Sequence, residues 1–246
     1  MKIMVTNDDG IHSQGLVTLA TALRSMADVW VVAPEREMSA ASHSLTLHRP
    51  LRVKEIAPQH YSVDGTPTDC VNLGVNTFLK GQPDLIVSGI NKGANLGGDI
   101  TYSGTVSAAM EATMLGIPSF AISLVSDKDF KFKTAAHFAV RLAQHILKNG
   151  LRKGTFLNVN VPHAEMDGAI PYRITRQGKR IHGGSIVEKV DPRGEKYYWI
   201  GNSNLGFEEI KDSDFQAIAQ NCVSITPLHL DLTHYPFIEE LSTWAL

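Results

Sequence analysis

Two adjacent carboxylates, Asp8 and Asp9, follow directly on the apolar residues Ile3, Met4 and Val5 in "MVTNDDGIHSQG". Side by side they repel each other, and burying either is costly unless something positive lies beside or between them. A divalent cation would resolve the repulsion. Taken alone, the pair reads better as caps of the following turn and helix. Polar residues after two other apolar runs tip the reading towards the cation. "VWVVAP" is followed by "EREMSAASHS", with Ser39, Ser42, His43 and Ser44, and "DLIVSGI" by Asn91, Lys92, Gly93, Ala94 and Asn95. Carboxylates, hydroxyls and carboxamides without cysteine form a hard-oxygen set, which favours Mg²⁺, Mn²⁺ or Ca²⁺ over zinc or copper.

A second signal is "YSGTVSAAM". Ser103, Gly104 and Thr105 open a predicted helix, where free N–H groups, the positive end of the dipole and a glycine allowing close approach suit a phosphate. An ordinary Ser/Thr cap gives the same pattern. Beside a hard-metal site, it points to metal-assisted chemistry on a phosphate ester. "GTPTDCV" (65–71) reads as a helix start, either structural or lining the pocket. "GANLGGD" (93–99) matches neither the dinucleotide nor the P-loop pattern, so those readings are set aside. His12 and His43 lie near strand ends as candidate proton donors, and Cys70 reads as a small buried hydrophobe.

The elements that must position these residues are legible from periodicity. Strands are predicted over 2–6, 28–34, 84–91, 117–125 and 155–162, and helices over 15–25 and 105–116, with a long helix closed by "KNG". Unbroken apolar strands alternating with helices predict an α/β fold, a doubly wound, mostly parallel sheet covered on both faces. In such sheets ligands bind beyond the carboxyl ends of the strands, where the polar residues above fall. After Pro162 the pattern changes. A hairpin is expected at about 185–201 around Asp191-Pro192-Arg193-Gly194, then a late strand and loop over 221–233. The expected organisation is a core, 1–162, and a C-terminal extension, 163–246, with that hairpin and a terminal helix. The hairpin, with Tyr197, Tyr198 and Trp199 on one arm, either contacts another subunit or folds back on its own core.

The 246 residues, 43% of them hydrophobic, suffice for one large domain, or one with an appendage. Lys and Arg total 23 against 25 Asp and Glu, a formal charge of -2, which argues against a nucleic-acid or membrane-binding surface. Cys70 and Cys222 imply no disulfide framework. No charged leader with a cleavage site is read, and no apolar run approaches the roughly 20 residues that span a bilayer, so a cytoplasmic protein is expected.

In order, "TNDDGIHSQG", "VVAPEREMSAASHSLTL", "GTPTDCV", "DLIVSGINKGANLGGDITYSGTVSAAMEA", "LNVNVP", "TRQG", "DPRGEKYYWIG" and "VSITPLHLDLT" span nearly the whole chain. Together they resemble the SurE family, stationary-phase survival proteins that act as nucleoside monophosphate phosphatases. The resemblance implies a Rossmann-like core and a C-terminal extension swapped between subunits, giving homodimers or homotetramers. It also implies a 5′-nucleotidase dependent on one divalent ion per subunit, Mg²⁺ or Mn²⁺. Carried over by position, the metal ligands are Asp8, Asp9, Ser39 and Asn91, the last chosen over Asn95 because it closes "SGIN". Asn95, Ser103, Gly104 and Thr105 then surround the phosphate. Many members have Gly after the ligand serine, where this chain has Ala40.

The mechanism expected is in-line attack of water on phosphorus, with Asp8 or Asp9 accepting the water's proton and Asn95 and the N–H groups at 103–105 stabilising the phosphoryl oxygens. The general acid is unassigned, with His43 as the candidate. The choice among 5′-monophosphates, 3′-monophosphates and short polyphosphate stays open. Two other classes fit the same residues: a metal-dependent glycosyltransferase using paired Asp on a nucleotide diphosphate, and a nucleotide-sensing module without turnover.

Overall fold

Ile3, Met4 and Val5 point alternately to the two faces of a central sheet, and both faces are covered, so the run is apolar without a break. They belong to β1 (Lys2–Thr6). The computed structural model describes residues 1–79, 81–163 and 171–245, with 182–185 and 201–205 as backbone only. After β1 come α1 (Gln14–Leu23), β2 (Asp28–Pro34), β3 (Val53–Ala57), β4 (His60–Val63), α2 (Pro67–Leu73) and β5 (Leu85–Lys92). The chain continues with α3 (Gly104–Met114), β6 (Ser119–Val125), α4 (Lys133–Asn149) and β7 (Thr155–Pro162). Its last third holds β8 (Tyr172–Ile174), β9 (Arg180–Val190), β10 (Lys196–Phe207), α5 (Asp214–Ala219), β11 (Val223–His229) and α6 (Tyr235–Leu241).

Nine strands form one sheet in the order β3-β4-β2-β1-β5-β6-β7-β11-β8. From β4 to β7 every neighbour is parallel. The chain builds outward from β1 through β2 to β4, then crosses back to the other side of β1 with β5. This reversal opens a crevice beyond the carboxyl ends of β1 and β5, where open α/β sheets place their ligands. On one face Ile3, Val5, Leu85 and Val87 pack with Leu16 and Leu19 of α1 and Ala135 and Ala139 of α4. On the other, Met4, Val32 and Ile86 meet Cys70 and Val71 of α2 and Ala108 and Ala112 of α3. The doubly wound, mostly parallel sheet expected from the apolar runs is the one observed.

The differences lie at the edges. β3, β4 and β8 are short, and β3 and β8 are largely exposed, so no apolar alternation announces them. The chain after Pro162 does not lie wholly outside the core: β11 pairs antiparallel with β7, β8 pairs with β11, and Val223 and Ile225 are buried in the main cluster. Residues 164–170 of the expected extension lie outside the described residues. What stands apart is the β9–β10 hairpin, longer than expected and a two-stranded sheet of its own. Asp191 builds its tip, its carboxylate accepting from the N–H groups of Arg193 (2.8 Å) and Glu195 (2.9 Å). Tyr198, Trp199 and Ile200 are exposed, so the hairpin does not fold back on the core, and α6 buries none of its residues. Among the described residues, no helix is long and apolar enough to cross a membrane.

Candidate active site

Asp8 and Asp9 leave the carboxyl end of β1, and Asn91 lies near that of β5, on either side of the crevice. The turn after β1 is shaped by Asn7, whose amide donates to Gly10 O (3.1 Å) and to Ser13 Oγ (2.7 Å), the cap of α1. Gly10 has a φ of +95°, and a Cβ there would lie 3.1 Å from the Arg36 carbonyl carbon. With no side chain in the way, the loop after β2 closes against this turn. Ile11 N donates to Pro34 O (2.7 Å) and Met38 N to Asp8 O (2.8 Å). Ser39 is thereby delivered beside the carboxylates.

The result is a cleft of about 270 Å³ whose wall includes Asp8, Asp9, Ser39, Asn91, Asn95 and Ser103. Of the eight residues carried over from the resemblance, these six come together. Gly104 and Thr105 stand behind Asp8 instead. Thr105 is fully buried and gives both its donors to Asp8, N–H to Oδ2 at 3.1 Å and Oγ1–H to Oδ1. A Cβ on Gly104 would lie 2.9 Å from Asp8 Cβ. The N–H and the hydroxyl of Thr105 are thus spent on a carboxylate of the chain itself.

Burial pushes the Asp8 carboxyl above its ordinary range, against the Thr105 hydrogen bonds. Asp9 is pushed up to about 6, by burial first and by Asp8 second, while the Lys92 N–H (3.1 Å) and the Lys92 charge pull it down. Two carboxylates whose charge is opposed by burial and by each other suit a divalent cation, which removes both penalties. Neutral oxygen donors stand beside them. Asn91 Nδ2 donates to Gly93 O (3.0 Å), so its carbonyl oxygen is left for a ligand. Ser39 Oγ lies 2.6 Å from Glu37 Oε1. Carboxylate, hydroxyl and amide oxygens together make a hard donor set that suits Mg²⁺ or Mn²⁺ better than zinc.

Glu37, Lys92, Asp99 and Tyr102 also line the cleft and were not singled out as site residues. Their signal in the sequence is position alone: two residues before Ser39, directly after Asn91, and just ahead of Ser103. Asn95 is held on every side. Its N–H donates to Asn160 Oδ1 (2.8 Å), its carbonyl accepts from Asn158 and Asn160, and Nδ2 donates to Ser123 Oγ (2.8 Å). The segment from Gly97 to Thr101, a short 3₁₀ turn, is clamped by the last third of the chain. Asp214 accepts from Gly97 N (2.8 Å) and Gly178 N (2.9 Å), and Arg180 donates from Nε (2.9 Å) and Nη2 (2.6 Å) to Asp99 Oδ2.

His43 is not on the cleft wall. Its Nε2 lies 2.6 Å from Glu111 Oε2 on α3, and His12 is exposed and does not line the cleft either. "GTPTDCV" is structural. Thr66 and Asp69 cap α2 reciprocally, and Asp69 also accepts from Thr46 N (2.9 Å) and Oγ1 (2.6 Å). Cys70 is buried in the core, as read. Ala40 has a φ of +57°, a conformation that favours glycine, which accounts for the Gly common at this place in the family.

A sequence model of the family described as "Survival protein SurE" matches residues 3–183. The chain is 56% identical over 246 residues to a protein of Pelobacter propionicus named 5′-nucleotidase SurE, with all of both chains covered. A protein of the same name from Geobacter sulfurreducens is 55% identical over 250 residues, covering all of this chain and 94% of that one. The crystal structure of the SurE protein from Aquifex aeolicus superposes with a TM-score of 0.89 at 42% identity, over 98% of each chain. Sequence, fold and the placement of the acidic pair after β1 lead to one assignment: the chain belongs to the SurE family.

Proposed function

We propose that this chain hydrolyses nucleoside 5′-monophosphates to nucleoside and inorganic phosphate with the help of a divalent cation. The observation that carries the reading is the acidic pair at the reversal in strand order, fixed in place and opposed in charge by its own surroundings. The relatives' name, 5′-nucleotidase, supplies the substrate class. Asp8, Asp9, Ser39 and Asn91 would hold one Mg²⁺ or Mn²⁺ ion per subunit. When bound, the ion supplies positive charge that polarises the phosphoryl group.

The chain's own residues do the rest. Thr105 fixes the Asp8 carboxylate, so its geometry is set before substrate arrives. Asp9, half-buried, is placed to accept the proton of an attacking water. Lys92, Ser103 and the remaining amide hydrogen of Asn95 stabilise charge on the phosphoryl oxygens. No general acid is assigned. The hairpin and α6, exposed in one chain, are arms for a homodimer or homotetramer in which the C-terminal part is exchanged between subunits, in the cytoplasm.

Phosphate release from a panel of nucleoside monophosphates, in EDTA and then with Mg²⁺, Mn²⁺ or Ca²⁺ added back, tests this. Metal-restored release is expected. In Asp8→Asn it should fall by about 10²-fold or more, the scale of losing one preorganised electrostatic group. The melting temperature without metal should not fall, because the amide keeps the shape and loses the costly charge. Nucleotide binding with no release under any metal would make the chain a nucleotide-sensing module instead.

A further inference from the structure

The cleft is walled almost throughout by charged and polar side chains. Tyr102 is the only aromatic residue on its wall among the described residues, and it is 64% exposed. A lone exposed aromatic needs no explanation by itself. This one adjoins Ser103, the cap of α3, so the ring stands one residue from the phosphate side of the cleft. The main chain under it is held from two sides: Tyr102 N donates to Asp99 O and Tyr102 O accepts from Ser42 N, both at 3.1 Å. Ser42 Oγ adds a bond to Thr101 O (2.7 Å), and Asp99 is gripped by Arg180. A fixed backbone presenting an open ring is a preformed flat contact, which costs little further ordering when something stacks on it.

We infer that Tyr102 is the platform on which the base of a nucleotide substrate stacks, and that it sets the preference for nucleotides over phosphate esters lacking a base. The inference rests on the phosphatase reading and adds the residue that recognises the far end of the substrate. No other described residue of the wall offers a flat apolar face. Every base has such a face, so a stacking platform accepts all of them, the larger purines more tightly than pyrimidines. Of the polar residues that share the wall, Ser39 and Glu37 bond each other and Asp99 is held by Arg180.

The test compares kcat/KM for adenosine 5′-monophosphate and ribose 5-phosphate in wild type, Tyr102→Ala and Tyr102→Phe, at saturating Mn²⁺. In Tyr102→Ala the ratio of the two should fall about tenfold, mainly through KM for the nucleotide, and in Tyr102→Phe it should stay within about twofold. An equal fall for both substrates would mean that the ring only positions Ser103, and would overturn the inference. So would an unchanged ratio. If wild type releases no phosphate from either compound, the phosphatase reading fails on its own. Calorimetric binding of adenosine 5′-monophosphate to wild type and Tyr102→Ala then decides the stacking, with equal affinities overturning it.

Discussion

A Cβ at position 104 would stand 2.9 Å from Asp8 Cβ, 3.0 Å from Asp8 Oδ2 and 3.1 Å from Pro67 Cγ. Helix propensity pulls the other way, since alanine is better than glycine in a helix by about 1 kcal/mol. The contact decides the outcome for the site, because an Asp8 pushed away from position 104 gives up its two hydrogen bonds from Thr105 and its set place on the cleft wall. Gly104→Ala is therefore expected to cut phosphate release by at least about tenfold through misplacement of Asp8. Steady-state assays paired with thermal melts check this, since the loss should exceed anything the change in stability explains. The same residue shows what could be read in advance. "YSGTV" announces a close approach at Gly104, but spacing cannot say of what, and in the structure the group lying there is Asp8. Asp8 and Asp9 could be read as a candidate cation pair because they follow an apolar strand, whereas Ser39 and Asn91 stood among several polar residues near strand ends and were picked out only by the resemblance to the family. Glu37 and Tyr102 could not be picked out, because no periodicity distinguishes them from ordinary loop residues.

Along α3, Thr105 sits at the first turn against Asp8, and Glu111 faces the loop that follows Ser39. The hydrogen bond from His43 holds the Glu111 carboxyl below its ordinary value of 4.5, with help from Asn72, while burial and Asp69 oppose it. A carboxyl lowered in the folded state contributes stability that is fully present above its unfolded value and is lost as pH falls through its folded value. Glu111→Gln should therefore melt earlier than wild type at about pH 7, with the gap closing as the pH is lowered below the ordinary Glu value of 4.5. A gap independent of pH would show that Glu111 acts through shape alone. The strands and helices that carry the site were legible because their apolar runs are long and covered on both faces. β3, β4 and β8 were not, since strands of three to five residues take their shape from the partner they pair with rather than from their own pattern.

One chain leaves Trp199 at 64%, Ile200 at 92% and Trp244 at 54% exposure, and these side chains are the ones the proposed subunit contact would cover. Replacing Trp199 with Lys and Ile200 with Glu should lower the mass measured by light scattering while leaving the circular dichroism unchanged; an unchanged mass would remove the hairpin from the interface. The break in pattern after Pro162 showed that the chain changes character there. It did not show that the chain returns to the sheet, because β11 is defined by pairing with β7. That return bears on the order in which the protein can be made. The β1 carboxylates leave the ribosome first, yet the Gly97 segment waits for Asp214, 117 positions later, to lock it. A contact of such range is slow to close, so a nascent or prematurely ended chain carries the acidic pair without a finished cleft around it, and hydrolytic competence comes only with near-complete synthesis.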